Sequence, residues 1–159
     1  MAITTEAGLI AARAAARPTN IYKATLTAVA AFIYSTWRSA GPFPAQGAIP
    51  TTAAICTKAT LGALVNFTNP TSPAKTYLDV LDIGSTVAGA HVVYDRLAHM
   101  GGLSGTVTTA QTVNLTLPTD PNRCDQNGYG VEWYLEWYTA TGSTAVTATI
   151  TYTDQDGNT

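Results

Sequence analysis

Residues 131–138, VEWYLEWY, alternate without a break: Val131, Trp133, Leu135 and Trp137 share one parity, Glu132, Tyr134, Glu136 and Tyr138 the other. Period two is the signature of a strand with one face turned inward. It predicts buried Trp133 and Trp137 and solvent-facing Glu132 and Glu136. Similar patterns recur. In 21–30 (IYKATLTAVA), Tyr22, Ala24, Leu26 and Ala28 oppose Ile21, Lys23, Thr25 and Thr27. Residues 32–37 (FIYSTW) are aromatic and β-branched, as strands prefer. Residues 77–83, 90–97, 107–117 and 144–153 carry the same kind of run. Between them lie turn-rich connections: GPFPAQGAIP (41–50), TNPTSPAK (68–75), 84–89, the flexible-looking MGGLSG (100–105) and the polar PTDPNRCDQNGYG (118–130). Short strands at such spacing predict a mainly β chain, an antiparallel β-sandwich or jelly-roll-like domain over residues 19–159.

Only the opening breaks this pattern. TTEAGLIAARAAAR (4–17) has high helix propensity, with Thr4 or Thr5 placed to cap it and Glu6 at the positive end of its dipole. Arg13 and Arg17 stand toward the negative end, and Pro18 stops it. Its apolar side amounts to Leu9, Ile10 and alanines, too little to hold so short a helix alone in water. Residues 1–18 therefore read as an N-terminal helical assembly arm, with Leu9, Ile10, Arg13 and Arg17 as its interface.

Composition sharpens the picture. Of 159 residues, 46% are apolar and 11% charged, against about 25% charged in an ordinary soluble domain. Interface cores are depleted in charge, so much of this surface is expected to be covered by other subunits. The formal net charge is −2 and the basic residues are scattered, which disfavours nucleic acid as a partner. No apolar run approaches the ~18 residues of a membrane span, and Glu6, Arg13 and Arg17 spoil a signal-peptide reading of the opening.

Chemistry is sparse. Asp95, His99 and Ser104 are the one grouping with triad composition, but a triad is assembled by geometry rather than proximity in sequence, and GxSxG is absent. No catalytic, cofactor or metal site is expected. His91 and His99 lack further ligands at a metal spacing. Glu132 and Glu136, four strand residues apart, would stand about 13 Å from each other, too far for a glycosidase pair. Asp154, Asp156 and Gly157 open like a calcium loop but lack its distal glutamate, and read as a turn. That turn sits at the last residues, so a further strand is expected to follow it. Cys56 and Cys124 fit no CxxC motif and read as two separate thiols rather than a disulfide. Asn66-Phe-Thr68 and Asn114-Leu-Thr116 match the glycosylation sequon, a chance match in a Thr-rich chain.

Three segments, MAITTEAGLIAA (1–12), YDRLAHMGGLSGTVTTAQTVNL (94–115) and WYTATGSTAVTATITYTDQDG (137–157), resemble a family of tailed-phage and prophage virion structural proteins. The resemblance implies a virion protein made in the bacterial host cytoplasm and transfers no catalytic residue. With the low charge, it leads to the expectation of a capsid decoration or cement subunit on the capsid surface. Such a subunit would bind the major capsid protein and copies of itself, as a trimer or other homo-oligomer. The alternative is a tail- or fibre-associated module that binds a glycan or host receptor through the aromatics of 129–138.

Overall fold

The computed structural model describes residues 3–16, 19–24, 26–27, 32–42, 44–63, 71–73, 76–144, 147–154 and 156–159. Its regular elements are one helix, α1 (Glu6–Ala14), a 3-10 turn at Thr36–Arg38, and two short strands, β1 (Ala54–Ile55) and β2 (Ala98–His99). The chain divides into two units. One comprises residues 1–48 and 58–94, the other 49–57 and 95–159.

In the first unit, α1 starts where the cap residues place it. Thr5 has extended backbone and its hydroxyl accepts from the Gly8 N–H at 3.1 Å, satisfying one of the donors a helix start leaves unpaired. The Ala15 N–H closes the other end on the Ala11 carbonyl. No residue of α1 is buried; Leu9 and Ile10 stay 47% and 62% exposed. Arg17 and Pro18 lie outside the described residues.

The best-packed group of this unit is built around Trp37. Ser35 caps the 3-10 turn, its hydroxyl accepting from the Trp37 N–H at 3.2 Å. The chain then doubles back, so that the Gly47 N–H donates to the Trp37 carbonyl at 2.9 Å. The indole N–H donates to the Ala48 carbonyl at 3.3 Å. Gly47 lies against the indole, where a Cβ would overlap the ring. Gly62, at φ +94°, approaches both Gly47 and the ring, and its backbone geometry also excludes other side chains. Lys23 ties the loop from outside, its ammonium donating to the carbonyls of Ser39 at 3.3 Å and Ala45 at 3.0 Å. Among the described residues of the Pro- and Gly-rich stretch 41–50, Ala45, Gly47 and Ala48 are held by these bonds, in keeping with the ordered loop its composition predicts.

In the second unit β1 and β2 pair antiparallel, Ala54 opposite His99 and Ile55 opposite Ala98. The Cys56 N–H extends the contact to the Leu97 carbonyl at 2.9 Å. Residues 100–105 are not the loose connection their glycines suggest. Gly101 is buried so closely against Pro50 that a Cβ would strike the proline backbone.

These two strands replace the expected β-sandwich or jelly-roll. Among the described residues strand accounts for 4% and helix for 9%. Among the described residues, none of 32–37, 77–83, 107–117 or 131–138 joins a ladder. The physical reason is that period-two patterning says which residues share a face and nothing about which segment pairs with which. A strand is stabilised by a paired neighbour and a covered face, and among the described residues those segments lack the paired neighbour. Trp133 and Trp137, expected inside, are 65% and 54% exposed, and Glu136, expected outside, is half-buried. Residues 32–37 end in the 3-10 turn instead of a strand because Ser35 caps a turn that carries Trp37 into its loop.

The three tryptophans are therefore unequal. Trp37→Ala should destabilise the protein by about 3–5 kcal/mol, as large core truncations do, measured by denaturant unfolding. Acrylamide should quench Trp133 and Trp137 readily and leave the blue-shifted emission of Trp37 in a Trp133→Phe/Trp137→Phe variant.

Candidate functional site

The second unit is held by charged side chains that cross long stretches of sequence. Residues 118–131 form a run of turns, closed by Arg123 N–H to the Asp120 carbonyl, Gly128 N–H to the Asp125 carbonyl and Val131 N–H to the Gly128 carbonyl, each at 3.1 Å. Asp120 and Asp125 stiffen them through side-chain bonds to the N–H groups of Asn122 (2.9 Å) and Asn127 (2.8 Å), the habit of Asx turns. These bonds hold the Asp120 carboxyl below the usual carboxylate range.

The turns present Arg123, which grips Asp95 with two bonds, Nη2 to Oδ1 at 2.6 Å and Nε to Oδ2 at 3.0 Å. Its Nη1 donates to the Cys56 carbonyl at 2.5 Å. One guanidinium thus joins the 118–131 turns, the end of β1 and the start of the segment leading to β2. Donating to the Asp95 carboxylate raises the already high pKa of Arg123 further.

Arg96 makes the second clasp. Its Nη2 and Nη1 meet the two oxygens of Glu136 at 2.5 and 3.0 Å, and the Tyr138 hydroxyl donates to the same carboxylate at 2.6 Å. Both members of the ion pair are largely shielded from solvent. Burial by itself would raise the Glu136 pKa, but the hydrogen bonds from Arg96 and Tyr138 outweigh it and hold the carboxyl below its ordinary value. Burial, together with the bond to Glu136, pushes the Tyr138 phenol up to about 12. Burial also lowers the His99 pKa, with Arg96 adding to the effect.

The same segment turns its apolar members outward. Trp133, Leu135 and Trp137 are exposed, as is Tyr129. The ring of Trp137 passes close to Gly105. Tyr134 donates to Glu132, so both carboxylates of the segment carry a phenol donor.

Of the expected interface residues, Leu9, Ile10 and Arg13 lie exposed on α1, and Arg17 falls outside the described residues. Arg13 pairs with Asp79 at 3.0 Å on an open surface, a contact worth about 0–1 kcal/mol. The triad-like residues have other bonds. Asp95 is gripped by Arg123, and the Ser104 hydroxyl bonds the Thr106 hydroxyl at 2.9 Å while its N–H donates to Gln111. Among the described residues no three His, Cys, Asp or Glu gather as metal ligands, and no helix is long and apolar enough to cross a membrane. Asp154 makes the expected turn, its Oδ1 accepting from the N–H groups of Asp156 and Asn158, with Gly157 at φ +84°. Cys56 and Cys124 are separate thiols. Sequence reading did not find the Arg96–Glu136 clasp; the signal was the placement of a rare charge, Glu136, in an aromatic segment.

No protein-family model, no curated protein and no solved structure matches the chain.

The Arg96–Glu136–Tyr138 group sets the pH range of the second unit. Glu136 has a depressed folded pKa, so its contribution is present above the ordinary carboxylate range and is lost as pH falls through the folded value. Tyr138 has a raised one, so its contribution is intact below about 10 and fades as pH climbs toward 12. A phenolate absorbance step near pH 12 should be present in the wild type and missing in Tyr138→Phe. Glu136→Gln should unfold at higher pH than wild type when acid is titrated in.

Proposed function

We propose that the chain is a virion structural subunit of a tailed phage, a capsid decoration or cement protein that binds the major capsid shell and copies of itself. The observation that carries this reading is how little the chain covers of itself. Among the described residues thirty large apolar side chains are exposed, from Leu9 and Ile10 to Trp133, Trp137, Ile150 and Tyr152, while Trp37 and Cys56 are the buried apolar ones. Large exposed apolar areas mark interaction surfaces. Obligate assemblies bury about 2,000–5,000 Å² in such contacts.

Two further points support it. The charge content of 11% suits a surface that is to be desolvated, since every unpaired charge taken into an interface is costly. The resemblance of residues 1–12, 94–115 and 137–157 to virion proteins supplies the kind of assembly. Within it, α1 is the arm: none of its residues is buried, Arg13 makes a weak ion pair with Asp79, and Leu9 and Ile10 are open to a partner. A lattice repeats such a modest contact many times, and avidity multiplies it.

Purified full-length protein mixed with undecorated heads should co-sediment with them at fixed stoichiometry. Deleting residues 2–17 should leave Trp37 emission unchanged while occupancy of heads falls at least about tenfold, the loss of roughly 1.4 kcal/mol per site. Undiminished occupancy would remove the arm from the mechanism, and failure of the full chain to bind any shell would remove the capsid.

A further inference from the structure

We propose that Arg96, Glu136, Tyr138 and His99 form a latch that acid opens, releasing segment 131–138 while the rest of the second unit stays folded. The inference is independent of the capsid reading: it concerns what holds the segment in place.

Among the described residues the segment joins no ladder, so side chains attach it to the unit. Both Nη atoms of Arg96 end on the one Glu136 carboxylate, at 2.5 and 3.0 Å, and the Tyr138 hydroxyl donates to it at 2.6 Å. Just before the segment stand Gly128 and Gly130, at φ +86° and +74°, each with open space where a Cβ would lie. Glycines absorb changes of backbone angle at low cost, so this pair is a pivot on which the segment can swing.

The clasp depends on one titrating group. The side chains of Arg96 and Glu136 are only 15% and 25% exposed, and the charged and titratable groups facing the carboxylate are Arg96, Tyr138 and His99 of β2. A guanidinium keeps its proton at any ordinary pH. When Glu136 takes one up, Arg96 is left a shielded cation without its counter-charge, a costly state until water reaches it. The Glu136 pKa is depressed in the closed unit, so closure is supported above the ordinary carboxylate range and fails as pH falls through the folded value. His99 acts in the same direction. Burial and the Arg96 charge lower its pKa, against a smaller opposing effect of Glu136, so it takes up a proton more readily once the latch is open. Closure is therefore weakened as pH falls below the ordinary histidine range.

Other ties in the unit rest on carbonyls, which go on accepting in acid. Besides Asp95, Arg123 donates to the Cys56 carbonyl at 2.5 Å and to the Arg96 carbonyl at 3.4 Å. β1 and β2 pair through backbone groups, and the Cys56 N–H meets the Leu97 carbonyl at 2.9 Å. The bond between Tyr134 and Glu132 lies within the segment and travels with it. Acid thus acts first on the attachment of 131–138 and leaves the surroundings of Cys56 in place.

The test is hydroxyl-radical footprinting of the full chain as pH is lowered from neutral to the carboxylate range. Oxidation of half-buried Tyr138 is read against exposed Tyr152 of the same unit, and reaction of buried Cys56 with dithiodipyridine reports whether the unit stays folded. At neutral pH Tyr138 should react more slowly than Tyr152. In acid the two should come to react alike, while Cys56 is still protected. Glu136→Gln should show the open pattern already at neutral pH, again with Cys56 protected, and His99→Gln should move the wild-type step to lower pH. The proposal is overturned if Cys56 and Tyr138 become reactive together in wild type, since acid then unfolds the unit as a whole. It is equally overturned if Tyr138 stays shielded in Glu136→Gln at neutral pH, or if that variant exposes Cys56 there. A step that does not move in His99→Gln removes His99 from the latch.

Discussion

A guanidinium withdrawn from water has to find a carboxylate, and in residues 49–57 and 95–159 that demand organises the chain. Arg123 and Arg96 are each mostly shielded, and each takes both oxygens of one acid, Asp95 and Glu136. Between them they gather four separate segments: the end of β1, the approach to β2, the turns of 118–131 and the aromatic stretch. No cluster of aliphatic side chains does this; the buried apolar residues are Trp37 and Cys56 among those described. Paired charges fix geometry better than they add net stability, because the gain in attraction is offset by lost hydration. The outcome is a unit with defined partners and a thin apolar interior. Charge is spent where segments must meet, and the rest of the surface is left nearly neutral.

Local chemistry was legible in the sequence, while long-range pairing was not. The cap at Thr5, the turn at Asp154 and the ordered loop 41–50 all depend on residues within a few positions of each other, and each is where its residue types placed it. The sequence carries the helix over 4–17, whereas α1 gives way to its cap at Ala15. The strands fail for a different reason. Trp133 and Glu136 differ in parity, so the alternation correctly assigns them to different environments but cannot say which one is inside. Arg96, forty positions away, decides that by drawing Glu136 inward. The cage around Trp37 was hidden likewise: it depends on Gly62, whose role exists only once the chain has folded back. Of the residues expected at an interface, Leu9, Ile10 and Arg13 are exposed, and Asp79 as the partner of Arg13 had no local signal.

Both α1 and the aromatic segment leave apolar side chains exposed. In each, the polar neighbours are already engaged: Thr5 by the helix it caps, Arg13 by Asp79, Glu136 by Arg96. A surface with its hydrogen bonds settled internally makes few directional demands on what covers it. It gains chiefly from exclusion of water, which is tolerant of partner detail.

The two thiols carry a practical consequence. Cys56 is buried, its backbone N–H and carbonyl are both bonded, and burial raises its pKa, so little reactive thiolate forms there at neutral pH. Cys124 sits half-buried at the surface of the turn-rich loop, its sulfur touched only lightly by the Pro118 carbonyl and the Gln126 amide. The molecule therefore offers a single natural attachment point for a maleimide dye or spin label. That probe would sit next to the loop that positions Arg123 and would report on it with no cysteine engineered in or out.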